Sequence, residues 1–179
     1  LMSGLGTTGT YIYGCNYSIP EHTATICVES QVRNTTDSPV RRCLEVTVKE
    51  RNGSVLCRFM GPAAVIPAHG MISLKASRRQ GNLHFWSWGY GYLYDVETCL
   101  VDTSGSKSDR VVTTTGFRKT EFRNGIIYLN DRAIMMHGYA QRSTNEWPGA
   151  GACVPAWLSD YSNRLMVKSG GNIVRWMHV

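Results

Sequence analysis

The sequence predicts an immunoglobulin-like antiparallel β-sandwich followed by the first β-α-β unit of a truncated (β/α)8 TIM barrel. Three observations carry that expectation. Short segments with a period of two recur about every ten residues as far as position 112. The pattern then changes at Gly116. Finally, a segment of helical period, opened by proline and closed by glycine, lies between two apolar runs.

Over residues 24–33, apolar Ile26, Val28 and Val32 alternate with polar Glu29, Gln31 and Arg33, as in a strand with one buried face. Residues 34–39 break the chain with Asn, Asp, Ser and Pro. Leu44, Val46 and Val48 then alternate with Glu45, Thr47 and Lys49, and Asn52-Gly53 signals a hairpin into residues 55–59. Beyond Pro62 and Pro67, strands are expected around 72–74, over 92–101 and over 110–115. The sandwich is assigned to residues 1–115 and the start of the barrel domain to 116–179.

In the second part, residues 126–129, the Asn130-Asp131 turn and residues 133–136 read as a hairpin whose second arm is apolar on both phases. Pro155 opens a helix with Leu158, Tyr161, Leu165 and the stem of Lys168 on one face, and Gly170-Gly171 ends it. An apolar strand follows. Strand, helix, strand at this spacing makes residues 133–138 and 172–178 parallel neighbours. A lone unit of this kind cannot cover both faces of its strands, so it reads as a truncated barrel. The C-terminal strand ends, where barrels carry function, are then His137-Gly138-Tyr139 and Arg175-Trp176-Met177-His178.

The 179 residues, 42% apolar, are enough for one domain or one and a half. No signal peptide is expected behind Leu1, and no apolar run is long enough to span a bilayer. The formal charge of +6 comes from scattered doublets such as Arg41-Arg42 and Arg78-Arg79, which argues against nucleic acid. The six cysteines lack metal-site spacing. A disulfide between Cys27 and Cys43, on two neighbouring strand candidates, is conceivable, but separate buried thiols are the ordinary reading. Three Asn-x-Ser/Thr triplets, at Asn16, Asn34 and Asn52, matter only in a eukaryotic secretory pathway. The five histidines are too dispersed for a zinc site, no Gly-x-Ser-x-Gly elbow is present, and no cofactor is expected. His84-Phe85-Trp86-Ser87-Trp88-Gly89-Tyr90 has the aromatics of a sugar platform, though core or interdomain packing explains it better.

Several motifs occur in a telling order. They are Trp88 with Gly91-Tyr92-Leu93-Tyr94, Gly116-Phe117-Arg118, residues 128–132 leading to His137-Gly138-Tyr139, and Leu165-Met166-Val167-Lys168 before Asn172-Ile173-Val174-Arg175. Together they resemble glycoside hydrolase family 2, the β-galactosidases, β-glucuronidases and β-mannosidases, in which such a sandwich leads into a catalytic barrel. The resemblance implies a retaining hydrolase of terminal β-glycosides, with β-galactosidase the expected activity. It implies Arg175 and His178 as sugar-subsite residues, and a sandwich that braces the barrel and offers an oligomer interface. Polysaccharide degradation would suit a periplasmic or secreted parent. Three positions depart from the family pattern: His137 for Arg, Ala140 for Asn and Arg142 for His.

Retaining glycosidases need two carboxyl groups about 5 Å apart. The second part offers only Glu121, Asp131, Glu146 and Asp160, none of them at the strand ends where the resemblance implies the catalytic glutamates. The chain alone is therefore expected to be inactive. The rival reading is a non-catalytic immunoglobulin-like carbohydrate-binding or adhesion module. That rival leaves apolar residues 133–136 and 173–179 to be covered within the chain.

Overall fold

Alternating residues become paired strands through the first hundred or so positions. The computed structural model describes Leu1, residues 8–142 and residues 155–177. Its strands are β1 (Thr10–Ser18), β2 (Thr23–Arg33), β3 (Val40–Lys49), β4 (Val55–Met60), β5 (Ala64–Ile66), β6 (Met71–Gln80), β7 (Tyr94–Val101) and β8 (Lys107–Thr115). They form two antiparallel sheets, ordered β1-β2-β6 and β4-β3-β7-β8, with β5 pairing to β3. The predicted sandwich is thus present. β1 and β5 add to the strands that alternation revealed.

One face of each sheet supplies the core. Ala24, Ile26, Val28 and Val32 of β2 meet Leu44, Val46 and Val48 of β3, with Leu74 and Ala76 of β6 and Tyr94 and Val96 of β7 in the same buried cluster. Each set keeps to alternate positions, with buried Ser30 between Val28 and Val32, so every second side chain points inward. The outer face of β2 carries Cys27 and Glu29, and Cys43 lies outside the main core with Cys99 and Val101. This corrects the conceivable Cys27–Cys43 disulfide. β2 and β3 belong to different sheets, and each cysteine sits on the outward phase of its own sheet, with both thiols free. The strands are adjacent in sequence but not paired.

The corner between β2 and β3 is held by a buried amide. Asn34 is 5% exposed. Its Nδ2 donates to the carbonyls of Ser38 (2.8 Å), Pro67 (3.0 Å) and Ile66 (3.3 Å). Its Oδ1 accepts from the backbone N–H of Thr36 at 3.0 Å and its hydroxyl at 2.8 Å. A side-chain amide thereby ties together three carbonyls at the corner.

On the outer face of the second sheet, Glu97 accepts from Arg110 at 2.9 Å and from Lys49 at 3.0 Å. Arg110 first, and Lys49 second, hold its carboxyl down at about 2, against an ordinary 4.5. A carboxylate whose folded pKa is depressed stabilises the fold above its unfolded value and loses that contribution as pH falls. Between pH 4.5 and 2 the melting temperature should therefore drop more steeply in the native protein than in Glu97→Gln, as thermal melts across that window would read. Equal slopes would remove Glu97 from the acid response.

The aromatic segment after β6 turns inward. Leu83 and Phe85 are core residues, whereas Trp88 and Tyr90 stay 37% and 48% exposed. Phe85 bridges to Phe117, the Trp86 N–H donates to the Phe117 carbonyl at 2.8 Å, and the Arg118 guanidinium lies 5.1 Å from the Trp86 ring centre. Phe117 itself is 1% exposed.

Three short strands follow, β9 (Thr120–Arg123), β10 (Ile126–Leu129) and β11 (Arg132–Ile134), in the order β11-β10-β9. Asn130 and Asp131 both have positive φ, 49° and 65°, as a two-residue type I′ hairpin turn requires. The remaining elements are β12 (Gly138–Arg142), α1 (Ala156–Lys168) and β13 (Ile173–Met177). The chain divides into two compact units, Leu1–Asn124 with Tyr128–Arg132, and Gly125–Ile127 with Ala133–Val179. Among the described residues no helix is long and apolar enough to cross a membrane.

Candidate functional site

The second unit is built on β12 and β13, which pair in parallel, with α1 between them in sequence. The neighbour of the last strand is therefore residues 138–142, not 133–138. The hairpin turn explains the shift. A two-residue turn at Asn130-Asp131 pairs the chain at once, so Arg132 to Ile134 join β10 and a fresh strand starts at Gly138. The apolar run on which the expectation rested is exposed at Met135 (79%) and not buried on both faces.

This correction moves the strand ends. Gly138 lies level with Ile173, Ala140 with Arg175 and Arg142 with Met177. His137 and Gly138 thus mark the N-terminal end of the first strand, and Gln141-Arg142 its C-terminal end, beside Trp176-Met177. Arg175 is one pair of residues below that end. His178 lies outside the described residues, as does Glu146.

Asn172 locks the N-terminal ends together. Its backbone N–H donates to the His137 carbonyl at 2.8 Å, its Oδ1 accepts from the His137 N–H at 3.0 Å, and its Nδ2 donates to the Met135 carbonyl at 2.9 Å. Beside this clamp the strands approach so closely that a Cβ on Gly138 would stand 1.8 Å from the Ile173 carbonyl oxygen. Backbone cannot yield as a flexible side chain can. Gly138→Ala should cost about 1–3 kcal/mol in this unit, seen as faster amide exchange in β12 and β13. Unchanged exchange would mean that the strands part without penalty.

Side-chain contacts tell the two faces of this sheet apart. The Gln141 amide donates to Ser162 Oγ of α1 at 3.1 Å, and the Tyr139 hydroxyl lies 3.4 Å from the same oxygen. Tyr139 and Gln141 therefore face the helix, and Gly138 and Ala140 face away. In a parallel pair, residues in register share a face, so Arg175, opposite Ala140, points away from α1 and is exposed. Its neighbours on that face of the partner strand are a methyl group, at Ala140, and a glycine, at Gly138.

The helix spans the expected residues but turns a different side inward. Leu158 and Met166 are buried, with Ser162 midway between them, whereas Tyr161 and Leu165 are 48% and 47% exposed. Leu158, Ser162 and Met166 are spaced by four, the stripe that a two-stranded sheet can reach. Tyr161, Leu165 and Trp157 form a second stripe, each about half exposed.

The carboxylates of this region are engaged or outlying. Lys119 pairs with Asp131 at 2.7 Å and with Glu121 at 3.2 Å. Asp160 is on α1, where it lines a groove of about 550 Å³ with Asn163, Arg164, Val167 and Lys168. Among the described residues no group of three His, Cys, Asp or Glu could hold a metal ion. The Asn172 clamp and the close approach at Gly138 escaped the sequence reading. The single signal was the pair Asn172 and Gly138 flanking the two strands.

A β-glucuronidase of Formosa agariphila is 31% identical over 179 residues, covering 99% of this chain and 18% of its own length. A β-galactosidase of Alteromonas mediterranea is 29% identical over 93 residues, 52% of this chain and 9% of its own. Among solved structures, a β-glucuronidase from glycoside hydrolase family 2 superposes with a TM-score of 0.82 at 30% identity, covering 97% of this chain and 18% of that one. The chain thus spans less than a fifth of the length of each of these three relatives. The family model described as glycosyl hydrolases family 2 matches residues 10–118, more than half of the sequence, and the chain belongs to that family.

Proposed function

We propose that this chain is part of a retaining glycosidase that hydrolyses terminal β-glycosides, with Arg175 and His178 lining the sugar subsite. In this reading residues 1–115 are the bracing sandwich, and residues 116–179 open a (β/α)8 barrel whose first parallel pair is β12 and β13. The observation that carries it is the direction of Arg175. In a barrel the helices lie outside, so the strand face turned away from α1 is the interior. A planar fork of N–H donors held there suits sugar hydroxyls and the carboxylate of a nucleophile. The acid/base and nucleophile glutamates would come from later strands, and the 179 residues alone would not turn over substrate.

Two sugars compete. The family resemblance leads to an expectation of galactose. Of the two curated relatives described above, the one that aligns along the whole chain is named a β-glucuronidase, whereas the galactosidase shares only about half of the chain. That breadth moves our preference to a β-glucuronide. The test is to express the whole reading frame and compare 4-nitrophenyl β-D-glucuronide with the galactoside, following product anomer by NMR. Release of the β-anomer from either supports the reading, and the faster substrate names the sugar. Inversion, or no hydrolysis of any β-glycoside, overturns it and leaves a non-catalytic module.

A further inference from the structure

The thiols of Cys15 and Cys27 lie 3.6 Å apart, sulfur to sulfur, on neighbouring strands of the β1-β2-β6 sheet. Tyr13 is in register with Cys27 and Cys15 with Thr25, so the two cysteines are diagonal neighbours on one face. That face is the outer one, because Ile26 and Val28 of β2 point into the core. Cys15 is half-buried and Cys27 is 9% exposed. Cys43, Cys57 and Cys99 are also free and buried, and each of them sits on a different strand of the second sheet.

We propose that Cys15 and Cys27 are a modification site, a cross-strand dithiol that a peroxide-class oxidant converts to a disulfide. The chemistry has two balanced steps. The Cys15 thiol, the more accessible, reacts with hydrogen peroxide to give its sulfenic acid and one water. The Cys27 thiol then attacks the Cys15 sulfur, the S–O bond breaks, and the hydroxide leaves with the Cys27 proton as a second water. Peroxide is reduced by two electrons and the pair of thiols is oxidised by two. Burial first, and the bond to Cys15 second, push the Cys27 thiol up to about 11. Cys27 therefore stays mostly a thiol at neutral pH and is not the sulfur that meets the oxidant first; its place 3.6 Å from Cys15 is what puts it in line for the second step.

Geometry sets the character of the bond. Diagonal neighbours in an antiparallel pair stand about 7–8 Å apart at Cα, whereas disulfides span roughly 4.4–6.8 Å. One strand must shift inward. β1 can do so, since it is an edge strand whose register with β2 slips immediately after Cys15. A bridge closed this way is readily reduced, as a strained disulfide is. Its effect is to fasten the free edge of the first sheet.

The test uses the intact protein, treated with hydrogen peroxide, denatured in alkylating agent and cleaved after Glu21, which separates the two cysteines. Mass spectrometry should find the Cys15 and Cys27 peptides joined and two hydrogens lighter, with Cys43, Cys57 and Cys99 alkylated. Mild dithiol treatment should restore both thiols. In Cys27→Ser, dimedone should trap the sulfenic acid on Cys15. Full alkylation of Cys15 and Cys27 after peroxide overturns the proposal, as does oxidation of Cys15 to its sulfinic acid with Cys27 still alkylated. Failure of dimedone to label Cys15 in Cys27→Ser overturns the assigned order.

Discussion

Replacing Arg175 by alanine in the whole protein is expected to lower kcat/KM on the preferred β-glycoside by about 10²–10³-fold, with melting temperature unchanged. The two halves of that expectation have separate grounds. Arg175 is exposed on the face of β13 turned away from α1, so among the described residues its removal leaves no buried cavity. Its proposed work is to aim a planar set of donors at sugar and nucleophile, which alanine cannot do. Arg175→Lys keeps the charge and loses the fork, so it should recover only part of the activity. Steady-state kinetics with thermal melts decide the matter. A silent Arg175→Ala would remove the residue from the subsite, and a lowered melting temperature matching the lost activity would make it structural.

The largest stability effect is expected at Phe117. Phe117→Ala removes a ring that is 1% exposed, lies against Tyr94 with ring centres 5.6 Å apart, and has its backbone tied to Trp86. Lost transfer energy and the residual cavity together should cost about 3–5 kcal/mol. Phe122 supplies the control, because it has the same side chain at 78% exposure and its truncation should cost almost nothing. Chemical denaturation read by tryptophan fluorescence would measure both. Equal costs would mean that the joint at residue 117 can be rebuilt without loss.

Local chemistry explains which parts of this fold could be read in advance. β2 and β3 announce themselves because one face is buried and the other wet, so their residues must alternate. β1 does not. As an edge strand it is only partly covered on either face, and Tyr11, Ile12 and Tyr13 in succession carry no period of two. The helix bounds were visible because Pro155 and Gly170-Gly171 are backbone constraints. Its buried side was not, since helical spacing offers two apolar stripes and only the sheet chooses between them. The run at 133–136 misled for a related reason. Composition reports that residues are apolar but not where one strand stops, and the turn at Asn130-Asp131 decides that. At the candidate site, Arg175 was named from the sequence. Its direction had to wait for the contacts of Tyr139 and Gln141 with Ser162, and His178 lies outside the described residues.

The amide cage of Asn34 has a consequence for how the protein is made. Asn34-Thr35-Thr36 is an acceptor triplet for N-glycosyl transfer. In the folded sandwich its nitrogen is turned inward onto three carbonyls, beyond the reach of the transferase. In a eukaryotic secretory host, sugar transfer and sandwich formation would therefore race on the nascent chain. A glycan that arrived first would replace an amide hydrogen and wedge a hydrated oligosaccharide into the β2–β3 corner. A bacterial cytoplasm, or Asn34→Gln made for a secretory host, changes the terms of that race. The first avoids the modification. The second removes the acceptor but must still refill the cage.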